Sequence, residues 1–208
     1  MKEYHKIQTV FKRNPDTKFK RLIEGDYSLP VFEYLQRNPW VFTEKVDGTN
    51  IRVMVNGGVS FGGKTDNASI PSALVERLRT IFDPQQDAMR QMFPDGACLY
   101  GEGYGAKIQN GGNYSPSQEF VLFDVKIGQW WLERPNVEDI AAKLGVRTVP
   151  IIGEGTLLEM VEMAKQGIRS QWGDFQAEGI VARPKCELAT RNGERIITKI
   201  KTRDFAQP

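Results

Sequence analysis

Between residues 51 and 55 the chain reads IRVMV, with Ile51, Val53 and Val55 on alternate positions, and VSFG (59–62) resumes after Asn56-Gly57-Gly58. Alternation at period two marks a strand with one face in a core, and Asn-Gly between two such runs marks a tight hairpin. Alternating or apolar runs predict further strands over 40–44, 98–103, 120–127, 176–183 and 194–201. Apolar residues at helical spacing cover 71–82 (PSALVERLRTIF), 84–93, 135–144 and 156–166. The last of these opens on a capping box, Thr156 with Glu159, and stops at Gly167. Helices fall between strands without strict βαβ alternation, so the expected fold class is α+β with largely antiparallel sheets. No internal repeat and no long linker interrupts the pattern, so residues 1–208 are expected to form a single domain.

Composition narrows the chemistry. A chain of 208 residues that is 40% hydrophobic and 26% charged can build an ordinary core. No apolar run approaches the ~20 residues of a membrane span, and MKEYHKIQTV does not resemble a signal peptide, so a cytoplasmic protein is expected. The two cysteines, Cys98 and Cys186, sit in unrelated contexts and His5 is the only histidine, which argues against zinc. Any metal is expected on oxygen ligands, which favours magnesium. Net charge is only +2, but FKRNPDTKFKR (11–21) carries five basic residues and one acid, and 183–203 seven and two. Clusters of that kind are suited to a phosphate backbone.

Two lysines compete for a phosphate. GVSFGGKT (58–65) fits the phosphate-loop pattern G-x-x-x-x-G-K-[ST], with Lys64 as its lysine, and FVLFD (120–124) resembles an apolar strand ending in a magnesium-binding aspartate. That loop requires a helix starting at the lysine, yet Pro71 would fall in its second turn at a cost of ~3 kcal/mol. Its strand should also be buried on both faces, whereas IRVMV holds Arg52 and enters a hairpin. The hairpin reading is favoured, with Lys64 just beyond it.

Lys45 lies in KVDG (45–48), a K-x-D-G that is weak by itself. A lysine that attacks a nucleotide α-phosphate must be neutral part of the time, and neighbouring cations favour that form. The chemistry also needs cations for the phosphates, carboxylates for ribose and metal, and an aromatic ring for the base. LYGEG (99–103) offers Glu102 at a strand end, and FVLFD offers Phe120 and Phe123. AEGIVAR (177–183) places Glu178 beside a glycine, where a ligand can approach the backbone. ITKIK (197–201) puts Lys199 and Lys201 on one strand face, a costly arrangement unless an anion sits there.

These five segments, in this order, resemble motifs I, III, IIIa, IV and V of the covalent nucleotidyltransferases: ATP-dependent DNA ligases, RNA ligases and mRNA capping enzymes. Most DNA ligases and capping enzymes place arginine two residues past the KxDG glycine. Here the continuation is Thr49-Asn50, similar to the KxxGTN of the RNA ligase 2-type family, and HKIQTVFKRNP (5–15) resembles phage members of that group. The resemblance implies an adenylyltransferase fold with an ATP cleft between sheets and helices, and a lysyl-adenylate formed at Lys45. By position it assigns Glu44 and Val46 to the adenine through backbone groups and Asn50 to the phosphates or metal. It assigns Glu102 to the ribose, Phe123 to stacking on adenine and Glu178 to the hydrated magnesium. Lys199 and Lys201 fall to the α-phosphate and departing pyrophosphate. Lys64 matches a position, commonly arginine, that contacts phosphate or ribose.

The implied activity is ATP-dependent RNA ligation by a monomer, using ATP and Mg2+ or substituting Mn2+, on RNA with 5′-phosphate and 3′-hydroxyl ends. A DNA ligase or GTP-using capping enzyme would share the lysine chemistry, and a phosphate-loop NTPase would use Lys64 instead. Ligases usually continue into a second, nucleic-acid-binding domain, whereas this sequence ends at FAQP (205–208), so no separate C-terminal domain is expected. The basic stretch 11–21 is the candidate for additional RNA contact.

Overall fold

The computed structural model describes residues 3–205, so the terminal residues quoted above, 1–2 and 206–208, lie outside the described residues. From the amino end the chain forms β1 (Gln8–Thr9), β2 (Phe11–Arg13), β3 (Leu22–Tyr27), α1 (Pro30–Tyr34) and β4 (Trp40–Lys45). The hairpin β5 (Thr49–Val55) and β6 (Val59–Gly62) leads to α2 (Ser72–Phe82), α3 (Gln86–Met92) and β7 (Ala97–Tyr104). β8 (Glu119–Ile127), β9 (Trp130–Trp131), α4 (Arg134–Lys143) and β10 (Arg147–Thr148) follow. The chain closes with β11 (Ile151–Gly155), α5 (Leu157–Gln166), β12 (Gly179–Pro184) and β13 (Thr198–Lys201). This is the α+β, largely antiparallel class that the hydrophobic pattern predicts.

Two compact units result, one of residues 3–5 and 47–149, the other of 6–46 and 150–205. In the first, the sheet order is β10-β8-β7-β5-β6, with β9 on β8; β10 runs parallel to β8 and the other pairs are antiparallel. Ile51, Val53 and Val55 turn one sheet face toward Leu74, Leu78 and Phe82 of α2, which repeat at helical spacing, and all six are buried. The β5–β6 hairpin turns at Asn56-Gly57-Gly58, where Asn56 N–H donates to Gly58 O (2.9 Å) and Gly57 takes φ 68°.

In the second unit the order is β1-β13-β12-β4-β11, with β1 parallel to β13 and the rest antiparallel. α5 lays Leu157, Met160, Val161 and Ala164 against Trp40, Phe42, Ile180, Ala182 and Ile200, a fully apolar core. Each large side chain so buried stabilises by about 1.5–3 kcal/mol. The α5 capping box forms as its sequence requires: Glu159 N–H donates to Thr156 Oγ1 (3.2 Å) and Thr156 N–H to Glu159 Oε2 (2.7 Å). β2 and β3 make a separate two-stranded ribbon.

The strands expected over 176–183 and 194–201 are shorter, 179–184 and 198–201, because the residues before each form only isolated bridges. β1–β3, α1 and β9–β11 are additions: their sequences carry no clean period, and β1 and β11 are fixed by partners far along the chain, β13 and β4, while β2 and β3 pair with each other.

Candidate active site

β4, β12 and β13 lie side by side, and their register converges on one residue. Gly179 stands opposite Lys45 on β4 and opposite Lys201 on β13. The even-numbered residues of β12 and β13, Ile180, Ala182, Thr198 and Ile200, are buried toward the α5 side. Odd positions point to the other face, so Lys45, Lys199 and Lys201 share it. Glu178, next to Gly179, reaches across this face. Its Oε2 accepts from Lys45 Nζ at 2.5 Å and its Oε1 from Lys201 Nζ at 2.5 Å. The carboxylate retains only 9% of its exposure. Three lysines and one carboxylate on a single face leave net positive charge, an arrangement that suits a phosphate anion.

Gly179 itself is explained by packing. A Cβ there would lie 2.0 Å from Ile200 O and 2.8 Å from Lys201 Cα. The expectation that this glycine admits a ligand to the backbone is therefore corrected: β13 occupies that space.

Glu44, one residue before Lys45, faces the opposite side and is buried. Its Oε1 accepts from Ser170 Oγ (2.6 Å) and its Oε2 from Gln171 N–H (2.8 Å), while its own N–H donates to Pro150 O (3.0 Å). Burial pushes the Glu44 carboxyl above the ordinary range, against the two hydrogen bonds that favour the anion. Val46 is buried at the end of β4. Asp204, which no sequence signal singled out, accepts Lys201 N–H at Oδ2 (2.9 Å) and Arg13 Nη1 at Oδ1 (3.1 Å).

In the other unit, Asn50 on β5 stands opposite Glu102 on β7. Both are half-buried, and Asn50 Oδ1 is buried without a hydrogen-bond partner among the described residues. The glycine of KVDG is required by close approach, since a Cβ on Gly48 would meet Gly103 O at 2.2 Å and Glu102 Cγ at 2.9 Å. Asp47 accepts from Asn110 Nδ2 (2.8 Å). Phe120 belongs to the core, edge-on to Phe82, whereas half-buried Phe123 lies outside that core cluster and meets Tyr4 edge-on at 5.1 Å. Of the two aromatics, Phe123 is thus the one with an exposed portion to offer a base.

Lys64 is exposed, and no helix begins there: the next helix, α2, starts at Ser72 behind Pro71. Asp124 is buried and accepts from Tyr4 Oη (2.5 Å). A phosphate loop needs a helix at Lys64 and an accessible aspartate, and has neither. Arg52, read as a mark against a buried strand, is itself buried; its Nε donates to Gly63 O (2.8 Å) and its Nη2 to Asp66 Oδ1 (2.8 Å), pinning the loop that carries Lys64.

Among the described residues, no cluster of three or more His, Cys, Asp or Glu side chains is placed to hold a metal ion. These residues therefore build no all-protein metal cage. A hydrated magnesium ion needs less, since it commonly takes one or two carboxylates, several waters and the phosphates of its substrate. Glu178, on the lysine face, fits that requirement.

The fold is similar to that of solved RNA ligases. The RNA ligase of Naegleria gruberi solved with PPi superposes with a TM-score of 0.65 at 18% identity, over 94% of this chain and 56% of that one. A mutant of the same ligase solved with ATP and Mn gives 0.64 at 19%, over 83% and 52%. This chain thus spans about half the length of that ligase. No curated protein sequence matches it. The model of the RNA ligase family matches residues 38–201, and the chain belongs to that family. Among the described residues, no helix is long and apolar enough to cross a membrane.

Proposed function

We propose that the chain is the adenylyltransferase module of an ATP-dependent RNA ligase, with Lys45 as its nucleophile. One observation carries the reading: the family lysine and Lys201 flank Gly179 from neighbouring strands, on the face that also presents Lys199 and Glu178. In the first step Lys45 Nζ, having lost its proton, forms a bond to the α-phosphorus of ATP as the bond to pyrophosphate breaks. Lys199 and Lys201 meet the charge that develops on the phosphates. Entry of the nucleotide separates Lys45 from Glu178, and the carboxylate becomes available to a hydrated Mg2+ or substituting Mn2+. When bound, that ion neutralises the leaving pyrophosphate as a Lewis acid.

In the second step an oxygen of an RNA 5′-phosphate attacks the α-phosphorus and the Lys45 N–P bond breaks. In the third, an RNA 3′-hydroxyl attacks the activated phosphate and expels AMP. By the family resemblance, Asn50, Lys64, Glu102 and Phe123 serve the phosphates, ribose and base, and the backbone at Glu44 and Val46 serves the adenine. The unpartnered Oδ1 of Asn50 supports a ligand-binding role for that residue. The module acts as a monomer within a cytoplasmic setting.

The test is incubation with Mg2+ and ATP labelled at the α-phosphate, followed by denaturation. Label should remain on the wild-type chain and be absent from Lys45→Ala. α-Labelled GTP should leave none, and nicked RNA should be sealed in preference to nicked DNA. A chain that keeps no label from either nucleotide overturns the proposal.

A further inference from the structure

The ribbon of β2 and β3 ends in a loop, residues 14–21, whose backbone is held in an unusual shape. Lys18 and Phe19 are consecutive non-glycine residues with φ of 52° and 60°. Left-handed backbone in side-chain-bearing residues persists only where surroundings fix it, and it gathers at functional sites. The fixing bonds are explicit. Asn14 O accepts from Phe19 N–H (2.9 Å), Asn14 Oδ1 from Asp16 N–H (2.8 Å), and Pro15 O from Lys18 N–H (2.9 Å). Arg13 Nη1 donates to Phe19 O (3.2 Å) and to the buried carboxylate of Asp204 (3.1 Å).

This brace presents four consecutive exposed side chains: Lys18, Phe19, Lys20 and Arg21. Phe19 as a residue retains 61% exposure, although folding normally hides such a side chain. Lys12 is engaged with Asp26 (2.7 Å) and Arg13 with Asp204, while Lys18, Lys20 and Arg21 make no ion pair among the described residues. The same Asp204 that anchors Arg13 also accepts Lys201 N–H, so one buried carboxylate ties the loop to the strand of the phosphate lysines.

We infer that residues 18–21 form a docking site for single-stranded RNA, in which Phe19 stacks on a base while Lys18, Lys20 and Arg21 contact flanking phosphates. Stacking on an aromatic platform with adjacent cations is the general mode by which unpaired strands are gripped. An acidic or apolar protein partner would use either the charges or the ring; a single strand uses both, in the alternation found here. The inference rests on the RNA-joining function proposed above. It assigns substrate capture to a place where adenylate formation makes no demand.

The experiment measures binding of a labelled, 5′-phosphorylated ten-nucleotide RNA to the full chain across a salt series, together with self-adenylation. Phe19→Ala should weaken binding about tenfold or more, Phe19→Trp should retain it, and neither should alter the salt slope. Changing Lys18, Lys20 and Arg21 to Ala should make the slope shallower by about 2, since each contact to a single strand contributes about 0.7. All variants should self-adenylate as the wild type does. RNA binding that is indifferent to Phe19 and to the three cations overturns the inference, and points to a protein partner for this surface. Self-adenylation decides the function proposal separately: its absence with Phe19-dependent RNA binding intact would overturn that proposal and leave this one standing.

Discussion

Lys45 and Lys201 lie on strands far apart in the chain, β4 and β13, yet they stand opposite the same residue, Gly179, on its two sides. Each donates to a different oxygen of Glu178, Lys45 to Oε2 and Lys201 to Oε1. Lys201 thus has a structural partner in Glu178 beside its proposed part in binding phosphate, and its removal separates the structural role from the catalytic one. Lys201→Ala should fold normally and self-adenylate 100- to 1000-fold more slowly, the scale on which a lost charge-stabilising donor is felt. A single-turnover rate within a few-fold of wild type would show that Lys201 serves only to hold Glu178.

The same register leaves no room for a side chain at Gly179. Gly179→Ala must drive β12 from β13, because its Cβ would overlap Ile200 O. Overpacking of this kind costs about 1–3 kcal/mol or more, and a chain of this size loses roughly 2–4 °C of Tm for each kcal/mol. Self-adenylation should fall with the altered strand spacing. Gly58→Ala is the control, since a Cβ there meets nothing within 4 Å. Equal Tm values for the two variants would refute the register argument.

Lys64 tests the rejected phosphate loop. It is exposed on a loop without a helix behind it. An exposed contact of this kind is worth about 1 kcal/mol or less, so Lys64→Ala should keep self-adenylation within about fivefold to tenfold of wild type. Release of γ-phosphate that vanishes with Lys64→Ala, with no label on Lys45, would reinstate the loop.

Glu44 gives the protein a pH-dependent stability term. Burial raises its carboxyl from the ordinary value of 4.5, so the folded state holds this proton more firmly than the unfolded chain. The favourable contribution is full below 4.5 and is lost as pH rises through the folded-state value. Wild type should therefore lose stability relative to Glu44→Gln as pH increases from about 4.5 upward, read from denaturant midpoints at each pH. The lost acceptor to Gln171 shifts the Gln variant by a constant and does not affect this slope. Parallel curves for the two proteins would remove Glu44 as the source.

The hairpin at Asn56-Gly57-Gly58, the α5 capping box and the same-face pair Lys199 and Lys201 were legible because each depends on residues within a few positions of one another. Period-two and helical spacing, turn propensity and side-chain capping are local physics. The family motifs carried the rest of the candidate site as identities, without geometry.

Other features had no local signature. Phe120 and Phe123 are equally aromatic, and only packing against Phe82 made the first a core residue. Arg52 reads as a solvent-facing charge until Gly63 O and Asp66 are folded beside it. Asp204 and Ser170 became site-supporting residues through partners at Arg13 and Glu44, 191 and 126 positions away. The sequence by itself determined α2 to α5, most of the long strands, the turn and the residue types available for nucleotide chemistry. Tertiary structure alone decided how β4, β11, β12, β13 and β1 pair and in what register, because that choice is made by burial and hydrogen bonding between segments that mostly lie more than a hundred residues apart.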